Sequence, residues 1–269
     1  MNKLKHILFV LFLTFVIQGC TKPEFRIAPP PEPPPAVNEQ ADFAENIMLS
    51  LLSVRRDIGT GIIGSGVLLE INGLPYMMTA LHVVDHMVEA DRRYKQSACR
   101  INTYTLEEDC VDILIGPYWA ERVRLDPPND GALLPLDRFP EGSQPAELVT
   151  TGHNFRVGEE LWVFGNPTGT PNIVTRGVVS GRVGASRHFS GAVFTDSDVW
   201  FGTSGGGVFL STGEYVGYIR AMIGSRTPSG REIAEGLNIF SPLPKGWGLD
   251  GRTLTFPSPL CTQGTCESN

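Results

Sequence analysis

Gly202-Thr203-Ser204-Gly205-Gly206 is the stretch of this 269-residue sequence that restricts the fold most. Glycines on both sides of a serine let the backbone turn tightly and point N–H groups at a negatively charged oxygen. The same pattern occurs at the nucleophile elbow of α/β-hydrolases, in which the active-site histidine follows the serine. All histidines of this chain precede Ser204, namely His6, His82, His86, His153 and His188. The α/β-hydrolase fold is therefore excluded.

The residues after Ser204 exclude a second class of fold. In subtilisin-like enzymes the serine begins a helix, and the chain order is Asp, His, Ser. Here three consecutive glycines and then Val208-Phe209-Leu210 follow. Glycine is a poor helix former, so this run predicts a strand. The order that remains is His, Asp, Ser.

The candidate histidine and aspartates lie at the ends of apolar runs. His82 follows an apolar strand in residues 79–84, where a sheet can hold an imidazole at a cleft, as a general base requires. Asp130 enters the apolar run 131–136 and can orient the imidazole tautomer. Asp112, in another apolar stretch, is the alternative aspartate.

Segments spread over residues 59–242 resemble, in the same order, those of trypsin-like (chymotrypsin-fold) serine proteases, most of all the HtrA/Deg-type protease domain. The matching segments are 64–67, 79–84, 130–134, 164–169, 174–180, 195–196 with 202–206, and 213–217. The resemblance implies an all-β fold of two six-stranded antiparallel β-barrels with the site between them. It favours Asp130 over Asp112, because apolar residues follow Asp130 as in the family motif.

The resemblance also implies a serine endopeptidase that forms an acyl-enzyme intermediate. Ser204 would attack a peptide carbonyl, His82 would take and return the proton, and Asp130 would hold the histidine. The N–H groups of Gly202 and Ser204 would form the oxyanion hole. The alternative function is a non-catalytic binding or chaperone-like module, since a fold does not by itself fix a function.

Expected substrate contacts surround this site. Asp198 stands six residues before the serine, where trypsin carries the carboxylate that selects Lys or Arg, whereas Deg-type proteases usually have a small residue there. Its neighbour Val199 is a second expected substrate contact. Trp200-Phe201 replaces the Asn-Pro that usually precedes the glycine. By β-augmentation, three residues would pair with an extended substrate: Ala221, Met222 and Ile223.

Composition excludes other classes of protein. Hydrophobic residues make up 41% of the chain and charged residues 19%, which allows a sizeable core. The 30 glycines and 21 prolines favour turns and short strands over an all-α bundle. The net charge of −7 argues against a nucleic-acid partner.

The N-terminus predicts export and lipidation. Residues 1–19 combine a short basic start with an apolar run too short to span a bilayer, which is typical of a signal peptide. The run ends in a sequence that resembles a bacterial lipobox, with Cys20 as the lipidated residue. By resemblance to lipoprotein sorting signals, Thr21 after this cysteine favours the outer membrane, with the protein facing the periplasm of a bacterial cell envelope. An ordinary signal peptide followed by an incidental cysteine is the alternative.

Proline content sets the predicted domain boundaries. Residues 20–40 are a Pro-rich tether, because proline imposes an extended backbone without hydrogen-bond donors. Residues 41–257 form the protease domain, and 258–269 a tail with a cysteine pair. Polypeptide substrates and, through Cys20, a membrane are the expected partners.

The remaining cysteines predict disulfides. Their even number in an exported chain indicates two bridges with three possible pairings. We favour the local pairs Cys99 with Cys110 and Cys261 with Cys266. Paired short C-x-x-C spacings are absent from the sequence, so we expect neither a metal site nor another cofactor.

Two local patterns bear on the start of the domain. Asn72-Gly73 between apolar runs is a strong signal for a type I′ hairpin within residues 66–79. Residues 43–52 fit both a helix and a first strand, and the pattern does not distinguish them.

Overall fold

The computed structural model describes most of the predicted domain. The described residues are 37–56, 59–84, 96–115, 119–149, 153–182, 189, 191–226, 232–244 and 247. Apart from Val37 they belong to one unit, Asn38–Asn269. The predictions for the signal peptide, for Cys20, for the tether up to residue 36, and for Cys261 and Cys266 lie outside the described residues.

The ambiguous stretch 43–52 contains both a helix and a strand. Helix α1 spans Val37–Met48, and strand β1 spans Leu51–Arg56. Ser50 donates a hydrogen bond to the Ile47 carbonyl oxygen (2.8 Å), which satisfies an end of the helix before the strand starts. The helix begins four residues before the expected boundary at residue 41. In the described part of the chain no helix has the length and apolar character needed to cross a membrane.

The predicted hairpin is confirmed. Strands β2 (Gly59–Ile71) and β3 (Leu74–Ala80) pair in antiparallel register. Asn72 and Gly73 have φ values of 54° and 75°. Positive φ at both positions is what a type I′ turn requires, and asparagine and glycine tolerate it best.

The first half of the domain is a curled antiparallel sheet in the order β5-β4-β1-β2-β3-β7-β6. A β-bridge between Ile113 and Leu136 joins the chain just after β5 to the chain just after β7. This bridge closes the expected barrel, and the short β6 lies outside it on β7. The remaining strands of this half are β4 (Gln96–Ile101), β5 (Glu108–Asp112), β6 (Arg124–Asp126) and β7 (Gly131–Pro135).

A disulfide and a cluster of hydrogen bonds at Asp109 fasten strand β5 to its surroundings. Cys99 and Cys110 lie opposite each other in β4 and β5 and form a disulfide. Asp109 accepts hydrogen bonds from both terminal nitrogens of Arg138 (2.6 Å each) and from the Glu141 N–H (2.6 Å). These bonds tie the segment after β7 to the strand.

The second half is a closed barrel in the order β10-β13-β12-β11-β8-β9. The all-β, double-barrel expectation is therefore confirmed. Its strands are β8 (Glu160–Gly165), β9 (Ile173–Arg182), β10 (Val193–Thr195), β11 (Gly207–Leu210), β12 (Tyr215–Arg226) and β13 (Glu232–Pro242).

Aromatic residues join the two barrels. The core of the first barrel includes buried rings that belong to strands of the second: Phe164, Phe209, Tyr215 and Tyr218. A separate core fills the second barrel around residues such as Leu161, Val208 and Phe240. Burial of apolar surface therefore holds the seam between the barrels together.

Candidate active site

His82 and Asp130 form a hydrogen-bonded pair at the end of β3. Residues 81–84 are helical, and their first N–H groups need acceptors. The Asp130 carboxylate accepts from the His82 backbone N–H (2.9 Å), and the Asp130 carbonyl accepts from the Leu81 N–H (2.7 Å). The other carboxylate oxygen lies 2.6 Å from His82 Nδ1.

This contact fixes the role of each ring nitrogen. A carboxylate can only accept, so Nδ1 of a neutral His82 carries the proton and Nε2 keeps its lone pair. The His82 side chain is 45% exposed, whereas Asp130 lies mostly covered beneath it. The ring can therefore accept a proton at Nε2 while its orientation is held.

The second barrel holds the turn that carries Asp130. Pro127–Asn129 form a 3-10 turn, and Asp130 follows it in the left-handed region (φ 57°, ψ 40°). The hydroxyls of Tyr218 and Ser241 both donate to the Asn129 carbonyl oxygen (2.9 Å each). Burial raises the pKa of Tyr218, so its hydroxyl stays protonated as a donor.

Ser204 lies beside the helical turn that carries His82. Its carbonyl oxygen accepts a hydrogen bond from the Ser65 N–H in β2 (2.8 Å). The next residue, Gly205, packs so closely that a Cβ atom there would lie 2.2 Å from the Ser65 carbonyl oxygen and 2.9 Å from the Ala80 nitrogen. Only glycine fits between the two barrels at this position.

The peptide before Gly202 points its N–H away from a neighbouring turn. The Phe201 carbonyl accepts from the Thr168 N–H (2.5 Å). In a planar trans peptide the N–H points opposite to the C=O, so the Gly202 N–H faces away from Thr168. Gly202 has a φ of 97°, and a Cβ atom there would lie 2.4 Å from the Asn166 carbonyl oxygen. This residue must therefore be glycine.

The peptide before Ser204 is held in the same way. The Thr203 carbonyl accepts from the Gly206 N–H (2.7 Å), which turns the Ser204 N–H outward. Among the backbone hydrogen bonds of the described residues, neither the Gly202 N–H nor the Ser204 N–H has an acceptor. Two N–H groups are thus available to bind an oxyanion.

The residues before Gly202 differ in exposure. Asp198 is exposed, and Val199 is buried in the core of the second barrel. Trp200 and Phe201 are 41% and 51% exposed, with their rings edge to face. The predicted substrate residue Asp198 thus faces solvent, whereas Val199 contributes to packing.

The predicted substrate-pairing residues lie on β12. Ala221 and Met222 pair with β13 on one side. On the other side the paired part of β11 ends opposite Tyr218, so the described strands leave the edge of Ala221, Met222 and Ile223 uncovered. An extended peptide can add to such an edge.

The alternative aspartate belongs to another part of the first barrel. The Asp112 N–H donates to an Asp137 side-chain oxygen (3.0 Å) at the end of β5. His153 lies 2.7 Å from a Glu159 carboxylate oxygen in a loop, and His86 and His188 fall outside the described residues. Asp130 is therefore the aspartate that the structure pairs with His82.

Some residues of this site were not identified from the sequence. Ser65 and Asn166 lie in the segments 64–67 and 164–169, which match the family resemblance. The sequence did not indicate what either residue does. For the hydroxyls of Tyr218 and Ser241 the sequence gave no signal, because their contact with Asn129 joins distant strands.

Comparisons with known proteins identify the family of the chain. The sequence model of the trypsin-like peptidase domain matches residues 64–217. The chain is 35% identical over 127 residues to "Protease Do-like 5, chloroplastic" of Arabidopsis thaliana, covering 45% of this chain and 38% of that protein. It is 28% identical over 186 residues to "Periplasmic serine endoprotease DegP" of Escherichia coli (strain K12), covering 68% of this chain and 34% of that protein.

A solved structure shares the architecture over a larger fraction of its length. The crystal structure of Deg5 superimposes with a TM-score of 0.55 at 25% identity, covering 76% of this chain and 88% of that chain. The segments that match this chain span only 38% and 34% of the lengths of the two curated relatives.

Proposed function

Because this chain belongs to the trypsin-like peptidase family, with an HtrA-type protease domain of chymotrypsin fold, we propose that it is a serine endopeptidase that uses His82, Asp130 and Ser204. One observation carries this proposal. The His82–Asp130 pair, with Nδ1 2.6 Å from the carboxylate, stands beside a serine whose loop presents two outward N–H groups. This arrangement supports His82 as the general base, Ser204 as the nucleophile and the loop 202–206 as the oxyanion site.

The proposed reaction begins with attack by Ser204 Oγ on the carbonyl carbon of a peptide bond. His82 Nε2 takes the hydroxyl proton, and Asp130 stabilises the imidazolium that forms. The N–H groups of Gly202 and Ser204 bind the negatively charged oxygen of the tetrahedral intermediate. The C–N bond then breaks, His82 gives its proton to the departing amine, and an acyl-enzyme remains.

Water completes the proposed cycle. His82 Nε2 removes a proton from water as the water oxygen attacks the ester carbonyl of the acyl-enzyme. A second tetrahedral intermediate forms in the same oxyanion site. Its collapse releases the carboxylic acid product and returns the proton from His82 to Ser204.

Polypeptides are the proposed substrates. The uncovered edge of Ala221–Ile223 supports binding of an extended chain, and the exposed carboxylate of Asp198 supports a basic side chain before the scissile bond. Matched peptides with Arg or Ala before the scissile bond test the proposed preference for a basic side chain. Equal kcat/KM for the two, in the wild type and in Asp198→Ala, would exclude Asp198 as a specificity residue.

We also propose that the protein works in a bacterial cell envelope, anchored by lipid at Cys20. The signal-like residues 1–19, the lipobox-like Cys20 and the Pro-rich tether support this, as does similarity to a protein named periplasmic. Metabolic labelling with a radioactive fatty acid should mark the wild type and leave Cys20→Ala unmarked. A second bridge, Cys261–Cys266, is proposed for the tail 258–269.

Labelling of the full chain with a fluorophosphonate probe tests the enzymatic proposal. We expect the wild type to react with the probe and to cleave casein, and Ser204→Ala to do neither, since loss of the serine nucleophile removes about six orders of magnitude in rate. Ser211→Ala, in an exposed turn, is the matched control and should behave as the wild type. A folded wild type without labelling or cleavage would contradict the proposal and favour a binding module.

A further inference from the structure

Ser65 and Asn166 form a buried polar contact beneath the loop 202–206. Ser65 comes from β2 of the first barrel, and Asn166 follows β8 of the second. Both residues are 0% exposed. Buried polar groups are costly unless their hydrogen bonds are satisfied, so their partners indicate why they are there.

Ser65 holds the loop at two points. Its hydroxyl donates to the Gly202 carbonyl oxygen (2.7 Å), and its N–H donates to the Ser204 carbonyl oxygen (2.8 Å). The same hydroxyl oxygen accepts from the Asn166 backbone N–H (2.9 Å) and side-chain amide (3.0 Å). One donor and two acceptor positions are all that a hydroxyl has, so this group is fully used.

Asn166 holds the turn that contacts the loop from the other side. Its side-chain nitrogen donates to the Leu52 carbonyl (3.2 Å) as well as to Ser65, and its side-chain oxygen Oδ1 accepts from the Asn172 N–H (3.0 Å). The 3-10 turn Pro167–Gly169 begins directly after it. The Thr168 N–H of this turn fixes the Phe201 carbonyl.

These contacts fix consecutive peptide planes. Asn166, through Thr168, sets the plane before Gly202, and Ser65 sets the plane after it. The Gly202–Thr203 plane, which Ser65 holds, carries the Thr203 N–H and lies between the two planes that carry the Gly202 and Ser204 N–H groups. Its rotation therefore displaces both of those N–H groups from the oxyanion position. Without the Ser65 hydroxyl, the Gly202 carbonyl loses its donor and the peptide gains freedom to rotate.

We propose that Ser65 and Asn166 are positioning residues that aim the N–H groups of Gly202 and Ser204 at the oxyanion of the reaction. This inference rests on the proposed function. It adds two residues to the site, one from each barrel. Neither side chain touches substrate. Their effect therefore falls on the transition state, where the oxyanion forms, and leaves substrate binding unchanged.

Substitutions at Ser65 separate this role from simple packing. Ser65→Thr keeps the hydroxyl, and Ser65→Val has the same shape without it, so the pair isolates the hydrogen bond from the added methyl group. Ser65→Ala removes the hydroxyl without adding volume. Ser50→Ala, which deletes another buried hydroxyl of the first barrel, is the control and should keep wild-type kinetics.

The experiment measures kcat and KM on a fluorogenic peptide and Ki for a peptide boronate, which forms a tetrahedral adduct with the serine. Removal of one oxyanion donor lowers kcat by about 10² to 10³. Donors that are present but poorly oriented should therefore lower kcat by about 10- to 100-fold. We expect that loss in Ser65→Ala, and in Ser65→Val relative to Ser65→Thr, with KM within about twofold. The boronate Ki should rise in parallel with the fall in kcat/KM.

Different results overturn different statements. An inactive, folded wild type contradicts the proposed function, and this inference falls with it. An active wild type with equal kcat for Ser65→Thr and Ser65→Val contradicts the positioning role alone. A loss of kcat/KM in the Ser65 variants that comes entirely from a rise in KM would also contradict the positioning role. If a Ser65 variant does not fold, Asn166→Asp, which keeps the side-chain shape but loses the amide donors, is measured in its place, and unchanged kcat would again contradict the proposal.

Discussion

At the scale of single residues, Gly205 is the tightest point of the site. It has a φ of 80°, and its Cα faces the Ser65 carbonyl, the Thr79 hydroxyl and the Ala80 nitrogen. Both backbone conformation and space therefore demand glycine here. The same contact brings Ser204 to the turn that carries His82.

We expect Gly205→Ala to lower both stability and reactivity. Its Cβ would lie 2.2 Å from the Ser65 carbonyl oxygen, and the left-handed conformation adds about 1–2 kcal/mol of strain for alanine. Melting temperature and fluorophosphonate labelling rate check this. Gly61→Ala is the control, because a Cβ atom there meets nothing within 4 Å. Wild-type values for Gly205→Ala would show that the loop can move aside.

Residues with a local signature could be predicted, and those defined by distant contacts could not. The pairing of His82 with Asp130 rather than Asp112 agrees with the sequence motif. Glycines around Ser204 indicated a tight loop, and the structure gives the clashes that require them. The role of Ser65 depends on a neighbour 101 positions away, which no local pattern contains.

At the scale of elements, strand β12 carries two tyrosines with opposite consequences. Tyr218 donates to the Asn129 carbonyl and so supports the turn before Asp130. Tyr215 is fully buried, and its hydroxyl has no hydrogen-bond partner among the described residues. Burial raises the pKa of both phenols, so each is a neutral hydroxyl.

Tyr218→Phe and Tyr215→Phe should therefore have different effects on stability and on kcat. Tyr218→Phe loses a hydrogen bond worth about 0.5–1.5 kcal/mol, and we expect kcat to fall because the Asp130 turn loosens. Tyr215→Phe removes an unsatisfied buried group and should be neutral or stabilising by about 1 kcal/mol. Urea unfolding and peptide hydrolysis measure both. Equal loss of stability in the two variants would contradict this difference.

Elements with a strong local signal were also the ones that sequence reasoning placed best. Asn72-Gly73 defines its hairpin because both residues tolerate positive φ. Residues 43–52 stayed ambiguous because a helix and a strand share one apolar run, separated only by the Ser50 contact. The Pro127–Asn129 turn was not predicted, although its prolines and its Asp126 cap are local features. Its hydrogen bonds to Tyr218 and Ser241 join it to distant strands and have no local signal.

At the scale of the whole molecule, the two barrels are joined by buried aromatic rings and by hydrogen bonds around the site. Phe164, Phe209, Tyr215 and Tyr218 extend the core of the first barrel into the second. Ser65 and Tyr218 then link the two halves at the positions where chemistry is proposed. The double barrel could be expected from a family resemblance, whereas these links required the three-dimensional structure.

Acid stability of the whole molecule should depend on Asp109. The hydrogen bonds from Arg138, and then that from the Glu141 N–H, lower the pKa of Asp109 from 3.8 to about 2. The unfolded chain therefore binds the proton first as pH falls. The stabilisation is complete above pH of about 4 and is lost as pH falls through about 2.

Asp109→Asn should weaken the dependence of the free energy of unfolding on pH between pH 4 and pH 2. Urea unfolding of wild type and variant at intervals between pH 4 and pH 2 measures the slope, which should be smaller in the variant. Arg138→Gln, which removes the partner instead, should flatten it as well. Parallel curves for all three proteins would exclude Asp109 as the titrating group.

The Cys99–Cys110 disulfide holds β5 onto β4 at the end of the paired strands of its sheet. The bridge between Ile113 and Leu136 joins the chain beyond the end of β5 to the chain after β7, and among the described strands only β4 pairs with β5 itself. A strand that is paired on one side is a template for pairing with another chain. A covalent link between opposite residues of β4 and β5 prevents this strand from peeling away or slipping in register. We therefore expect reduction of the bond to let β5 separate from β4 more easily and pair with another chain, so that the oxidation state of the surroundings should influence aggregation of the protein.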